Sequence, residues 1–477
     1  MYPQLSLYID GEWRQGSTGE SSPVINPATT EVLGQLPHAS SADLDEALAA
    51  ADRGFKVWRA MLPLERGRIL KKVGDLMRER LDELATLMTM EQGKILAESK
   101  AEILSTADSF EWMAEEGKRT YGRIVPSRFT GTRMLVVHEP VGPVAAFSPW
   151  NFPALMAGRK MATALAAGCS VIIKPAEETP GIAIAIAKLC EQAGVPKGVL
   201  NVVFGVPAKI SEYLIRSPII RKVTFTGSIP VGKHLAKLAA EGMKKYTMEL
   251  GGHAPVVVFD DVDVEKVAKI AGSGKYRNAG QVCVSPTRFY VHESIHDRFV
   301  EAFTHVAKNL KVGNGLDPAS QMGPMANPRR LDAMDDFVAD ARDRGAAVKT
   351  GGKRIGNQGF FFEPTVLSEV PDDAKVMTQE PFGPLAPITR FSSFDEVVKR
   401  ANGLPYGLAA YAFTRSAERA QNISDALEAG MVAVNSLAVA APEAPFGGVK
   451  DSGVGREAGI EGILEHTVMK MVSQALA

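Results

Sequence analysis

Four short apolar runs between residues 144 and 226, each followed by helical periodicity, leave this chain few folds to choose from. Val144-Ala145-Ala146-Phe147 precedes a helix from about Ala154, and Val171-Ile172-Ile173 precedes one from about Pro180. Leu200-Asn201-Val202-Val203 leads to a helix from about Pro207, and Lys222-Val223-Thr224-Phe225 to one from about Pro230. Such runs are strands buried on both faces, and helices of about 10 to 15 residues carry the chain back over the sheet. The pattern predicts an α/β fold with a parallel, doubly wound sheet.

Other elements assemble around that sheet. Leu5 to Trp13 is predicted to be a strand broken at the turn dipeptide Asp10-Gly11, and Asn26-Pro27 marks a loop. Helices are predicted from Ser41, from about Pro63 to Met90, and from about Lys94 to Lys118. Tyr121 to Arg128 and Met134 to His138 form a protruding hairpin around Thr130-Gly131. Pro255-Val256-Val257-Val258 begins a second α/β set. It has a helix over Val264–Tyr276, strands near Arg288–Val291 and Ala409–Phe413, and helices Ile295–Leu310, Arg329–Arg344 and Phe394–Ala401. The run Val468-Met469-Lys470-Met471-Val472 near the end is strand-like and needs an edge to pair with.

At 477 residues the chain is too long for one core. A net charge of -1 gives no electrostatic argument for nucleic acid or an anionic membrane. No signal peptide and no long uncharged apolar window are apparent, so a soluble protein is expected. The three cysteines, Cys169, Cys190 and Cys283, lack CxxC spacing. That fits a reducing cytoplasm and argues against a disulfide framework or thiolate metal site, so no metal is expected.

Cys283 differs from the other two in its surroundings. It closes Asn278-Ala279-Gly280-Gln281-Val282-Cys283, a polar, glycine-containing loop, and Glu249 lies 34 positions upstream against Gly251-Gly252. A thiol that attacks and a carboxylate that activates water are the two groups needed to oxidise an aldehyde through a thioester. Three further segments sit at strand ends. Asn151, in Pro149-Trp150-Asn151-Phe152-Pro153, could donate to an oxyanion or simply form a turn. Lys174 and Glu177 could meet a ribose or be a solvated charge pair. In Thr226-Gly227-Ser228 the glycine would let backbone approach a pyrophosphate, with Ser228 capping the helix; a plain turn is the other reading.

Together these segments resemble the aldehyde dehydrogenase superfamily over essentially the whole chain. Pro149 to Pro153, Lys174-Pro175-Ala176-Glu177, Phe225 to Ser228, Glu249 to Gly252, Gly280 to Cys283, Glu380-Pro381-Phe382-Gly383-Pro384 and Pro445-Phe446-Gly447-Gly448 occur in the family's order and spacing. The resemblance implies a Rossmann-like NAD-binding domain (1–121 and 142–251), an α/β catalytic domain (252–451) and a small β oligomerisation segment (122–141 and 452–477). It implies Cys283 as nucleophile, Glu249 as general base, and Asn151 with the Cys283 backbone N–H as oxyanion hole. Trp150, Lys174, Glu177, Gly227, Ser228, Glu380 and Phe382 would bind the cofactor. That cofactor is expected to be NAD, with NADP less favoured because of Glu177.

Within the superfamily the likeness runs to succinate-semialdehyde and 2-oxoglutarate-semialdehyde dehydrogenases. Arg159 and Arg277 stand where a substrate carboxylate would be held, with Phe446 beside the substrate. Many such enzymes carry a second cysteine two residues after the nucleophile; here that residue is Ser285, so a thiol switch is not expected. The expected function is oxidation of an ω-carboxylated semialdehyde, succinate semialdehyde first, by a cytoplasmic homodimer or homotetramer with no nucleic-acid or membrane partner. The alternatives are 2-oxoglutarate semialdehyde, a broad range of uncharged aldehydes, and a non-catalytic interaction protein.

Overall fold

The four buried runs become adjacent parallel strands in the order Lys222–Thr226, Val144–Phe147, Val171–Lys174 and Leu200–Val202. The computed structural model describes residues 2–475, so residues 1, 476 and 477 of the expected terminal segments lie outside the described residues. Lys245–Glu249 extends the sheet in parallel on one side, followed by antiparallel Gly453–Val454. Leu7–Ile9 and Glu12–Arg14 form an antiparallel hairpin on the other. Its turn residues Asp10 and Gly11 both have positive φ, as a two-residue hairpin requires. Pairing aligns Phe147 with Lys174 and Thr226 with Glu249, so the loops carrying Asn151, Glu177, Ser228 and Gly251 leave the same edge. That edge is where doubly wound sheets take ligands.

A second sheet runs in the order Ala347–Thr350, Thr365–Ser368, Leu385–Phe391, Pro286–His292, Ala254–Val258, Ala409–Phe413 and Met431–Val434. Each sheet has its own apolar core. One runs from Leu5 to Leu250 and takes in Ile463; the other runs from Ala254 to Ala458. The two divide across Gly251-Gly252-His253, which begins two residues after Glu249.

Arg123–Val125 and Thr132–Pro140 make the hairpin, and the tail Thr467–Ala475 adds a third strand, with Thr467 opposite Pro140 and Ala475 opposite Thr132. Met469 and Met471 are 71% and 62% exposed, so one face of this sheet is uncovered in the single chain. Contrary to expectation, residues 452–477 do not belong wholly to the oligomerisation segment. Gly453–Val454 instead closes the first sheet and Ile463 enters the first core, and of the described residues in this stretch the strand Thr467–Ala475 alone pairs with the hairpin.

Two helix expectations are also corrected. The helix expected over 63–90 is two, Pro63–Glu79 and Leu81–Gln92, because Arg80 leaves helical geometry at φ −107° and ψ 26°. Gly93, left-handed at φ 93°, ends the second of these. Lys94 is thereby left outside any helix and fully buried, and the next helix runs over Leu96–Glu116.

Candidate active site

Helix Pro153–Ala167 is buried at nearly every position, packed against Leu96–Glu116. Its first N–H groups have no cap of their own; the N–H groups of Ala154 and Leu155 donate to Glu102 Oε1 at 2.9 and 3.1 Å. The other oxygen of Glu102 is paired with Lys94, whose ammonium also donates to the Asn151 carbonyl at 2.8 Å and lies over the Phe152 ring. Asn151 is thus fixed by a buried ion pair from the neighbouring helix corner. Its side-chain Nδ2 donates to the Gln281 carbonyl at 3.2 Å, which ties it to the Cys283 loop and leaves a second N–H available.

The Cys283 loop is backbone-strained. Asn278, Ala279 and Gly280 have φ of 49°, 52° and 73°, and each non-glycine residue in that region costs on the order of 1–3 kcal/mol. Gly280 also admits no side chain, since a Cβ there would collide with the Gly383 carbonyl. Gln281 Oε1 accepts from the Ala326 N–H at 2.9 Å, and Gln92 Nε2 donates to Asn278 Oδ1 at 2.8 Å. Burial, then the carboxylates of Glu380 and Glu249, push the Cys283 thiol up to about 12. Cys169 and Cys190 are fully buried in the first core, as inert thiols should be.

Two cavities meet at Cys283. The larger, about 480 Å³, is lined by Trp150, Asn151, Thr226, Gly227, Ser228, Glu249, Glu380 and Phe382. The smaller, about 200 Å³, is lined by Arg159, Arg277, Phe152, Phe446, Glu98 and Ala440. Cys283, Phe152 and Met156 border both. Of the residues singled out in the sequence, all but two fall on these walls. Lys174 and Glu177 are paired with each other at the end of their strand and border neither cavity.

Glu249 is buried, and neither carboxylate oxygen has a hydrogen-bond partner among the described residues. Burial and then the nearby Glu457 push its carboxyl well above the usual range, against the pull of Lys160, Arg159 and Arg456. Burial acts on Glu457 too, but Lys160 and Arg159 outweigh it and hold that carboxyl low. Gly447 keeps the space in front of Glu249 open, because a Cβ at that position would strike Oε1. A thiol, a carboxylate with free oxygens and an amide donor therefore share one wall, the set that acyl transfer to water uses.

A nicotinamide dinucleotide fits the larger cleft. Ser228 stands at the head of helix Ile229–Glu241, yet its side chain does not cap the helix, contrary to expectation. The first-turn N–H groups thus remain available to a phosphate. Thr226 Oγ1 and Asn327 Oδ1, buried in the same wall, have no partners among the described residues. Phe382, held at φ 45°, packs edge to face with Trp150 at 5.5 Å. Glu380 lies against Gly251, where any side chain would collide with its carboxylate. Burial raises Glu380 to about 8, against the Gly252 N–H, Arg330 and Lys275.

Arg159 is 3% exposed, and its Nε and Nη1 have no hydrogen-bond partner among the described residues. Its nearest carboxylate is Glu457 at 3.8 Å, beyond hydrogen-bonding range, and its guanidinium lies over the Phe446 ring at 4.9 Å. Arg277 is different. It is exposed at the cavity rim, 5.5 Å from the centre of the Phe152 ring. Sequence reasoning missed Lys94, Glu98, Glu102, Lys160, Glu457, Thr226 and Arg330. Glu98 and Glu102 share a helix face at i and i+4, a signal that reads equally as solvated surface.

Comparisons with known proteins agree with this architecture. The family model described as "Aldehyde dehydrogenase family" matches residues 13–472. The chain is 47% identical to 4-(hydroxymethyl)benzenesulfonate dehydrogenase TsaD1 of Comamonas testosteroni, over 97% of this chain and 96% of that protein. It is 44% identical to succinate-semialdehyde dehydrogenase (NADP+) GabD of Escherichia coli K12, over 98% and 97%. The crystal structure of succinate-semialdehyde dehydrogenase from Burkholderia pseudomallei superposes with a TM-score of 0.97 at 45% identity, covering 99% of this chain and 98% of that one. The chain belongs to the aldehyde dehydrogenase family.

Proposed function

We propose that the chain oxidises an aldehyde bearing an anionic tail to the corresponding acid, with succinate semialdehyde the leading candidate. The observation that carries this is Arg159, a buried guanidinium with unpartnered N–H groups in the chamber that ends at Cys283. A buried cation without hydrogen bonds is costly, and a carboxylate or sulfonate would satisfy it with charge-assisted bonds. Arg277 at the rim would attract the same charge.

Cys283 gives its thiol proton to Glu249, which passes it to solvent, as Sγ adds to the aldehyde carbon, and the developing oxyanion accepts from the Asn151 amide and the Cys283 backbone N–H. A nicotinamide dinucleotide bound in the cleft supplies the hydride acceptor. The acyl group is then a thioester on Cys283. Glu249 takes a proton from water, whose oxygen attacks that thioester and releases the acid and the thiol. A carboxyl raised by burial is a stronger base than an ordinary one once ionised, which suits this role. Trp150, Gly227, Ser228, Glu380 and Phe382 hold the dinucleotide. Glu177 beside Lys174 favours NAD by repelling a 2′-phosphate. Three unpaired thiols suit a reducing cytoplasm, and the uncovered strand Thr467–Ala475 suits a homodimer or homotetramer.

A sulfonate-tailed aldehyde is the second reading. The benzenesulfonate relative and the lining of Ala440, Phe152 and Phe446 favour it, since that wall is apolar and aromatic. The test is kcat/KM for succinate semialdehyde, 2-oxoglutarate semialdehyde, 4-formylbenzenesulfonate and pentanal, each with NAD and NADP. An anionic aldehyde should exceed pentanal by about tenfold or more. Equal efficiency with pentanal would overturn the reading.

A further inference from the structure

Among the described residues, the left-handed turn Asn278–Gly280 is anchored largely from one place, the corner between helices Leu81–Gln92 and Leu96–Glu116. A strained turn persists only where its surroundings over-determine it. Gln92 holds the Asn278 side chain, whose Nδ2 in turn donates to the Asn151 carbonyl at 2.9 Å and the Gln281 carbonyl at 3.2 Å. The Asn278 backbone N–H, at the head of the turn, donates to both carboxylate oxygens of Glu98, at 3.2 and 3.1 Å.

Glu98 has no other hydrogen bond and no ion pair among the described residues. Yet it borders the chamber that holds Arg277, where burial holds its carboxyl above the usual range against the pull of Lys94, the Asn278 N–H and Arg277. A carboxylate there opposes an anionic aldehyde, so recognition of the substrate does not explain it. What it does hold is the N–H where the nucleophile loop begins.

We propose that Glu98 is a positioning residue that acts through Asn278, fixing the turn that delivers Cys283 to the junction of the two cavities. This rests on Cys283 being the nucleophile. The acceptor matters here rather than the charge, and the two separate cleanly by substitution. Glu98→Gln keeps an oxygen for the Asn278 N–H and loses the charge; Glu98→Met fills the volume and loses both.

The experiment measures kcat and KM with an anionic aldehyde and with pentanal, plus the rate at which iodoacetamide alkylates Cys283 in cofactor-free, full-length enzyme, read by mass spectrometry. Glu98→Met should change the alkylation rate and lower kcat for both aldehydes by about tenfold or more, since small misplacements of reacting groups are costly. Glu98→Gln should stay within about twofold in both and lower KM for the anionic aldehyde alone, by removing a repulsive charge. If the methionine variant fails to fold, Glu98→Asp replaces it, withdrawing the acceptor by one methylene with the same expected losses. Methionine or aspartate variants within about twofold of native in both readouts, or a glutamine variant as impaired as they are, would overturn the proposal. Should Cys283→Ala retain turnover, the function reading fails, while the alkylation rates still decide whether Glu98 positions the thiol.

Discussion

On the cleft side of Cys283 the wall joins the side chains of Trp150, Glu249, Glu380 and Phe382 to backbone features: a strand end, glycines where chains approach closely, and an uncapped helix head at Ser228. On the chamber side it is side chains from three separate stretches: Arg159, Arg277 and Phe446. Backbone geometry serves a ligand whose phosphates and ribose do not vary, and it leaves short contiguous motifs. A chamber that tells one aldehyde from another uses side-chain charge and shape, which can change without disturbing the turns. The two sides should therefore respond differently to substitution.

The largest effect falls on the residue they share. Cys283→Ala should abolish dehydrogenase turnover while NAD binding, followed by fluorescence titration, persists. The same thiol should report its surroundings through pH. With its pKa pushed up to about 12, only the neutral form dominates below that value, and the reactive thiolate grows as pH rises. Alkylation of Cys283 in cofactor-free enzyme should thus climb about tenfold per pH unit between roughly pH 7 and pH 10. A plateau near neutrality would mean a thiolate already formed in the resting enzyme.

Asn151→Ala removes one oxyanion donor and should cost about 10² to 10³ in kcat for every aldehyde alike. A chamber residue should instead discriminate. Arg159→Ala should reduce kcat/KM by roughly ten- to a hundredfold for anionic aldehydes and leave pentanal nearly unchanged. Arg277→Ala, at the exposed rim, should cost only about fivefold, because water already screens that charge. Equal losses for charged and uncharged aldehydes at Arg159 would make it a structural partner of Glu457 rather than a substrate contact. The smallest change is expected at Glu177→Ser, which should raise kcat/KM with NADP about twofold to threefold by removing a carboxylate that would face a 2′-phosphate.

This division explains what could be read in advance. The parallel sheet, the strand-end loops and the Cys283 loop announce themselves because each is contiguous and its residue types are forced by local geometry. Thr365–Ser368 and Met431–Val434 passed unseen because, unlike the equally short Val144–Phe147, neither is followed by a long helical pattern that completes a strand–helix alternation, and Leu385–Phe391 because Pro387 interrupts it. Ser228 was expected to cap its helix, yet cap-forming residue types at a helix head do not dictate where the hydroxyl turns. Lys160 and Glu457 are 297 positions apart, and Lys94 reaches Asn151 across 57. Only tertiary packing brings such charges together, and nothing in their spacing foretells it.

The tail strand has a consequence for how the molecule comes into being. Residues 467–475 pair along their whole length with residues 132–140, so the order of synthesis separates the two partners by more than three hundred residues. Loop closure over such a span is slow relative to local structure. A chain still being made must therefore carry its hairpin half-paired, with the Thr132–Pro140 edge open, until Thr467–Ala475 has been added. The small sheet therefore closes late, and deletion of residues 467–475 should leave an otherwise folded protein with an unprotected strand edge.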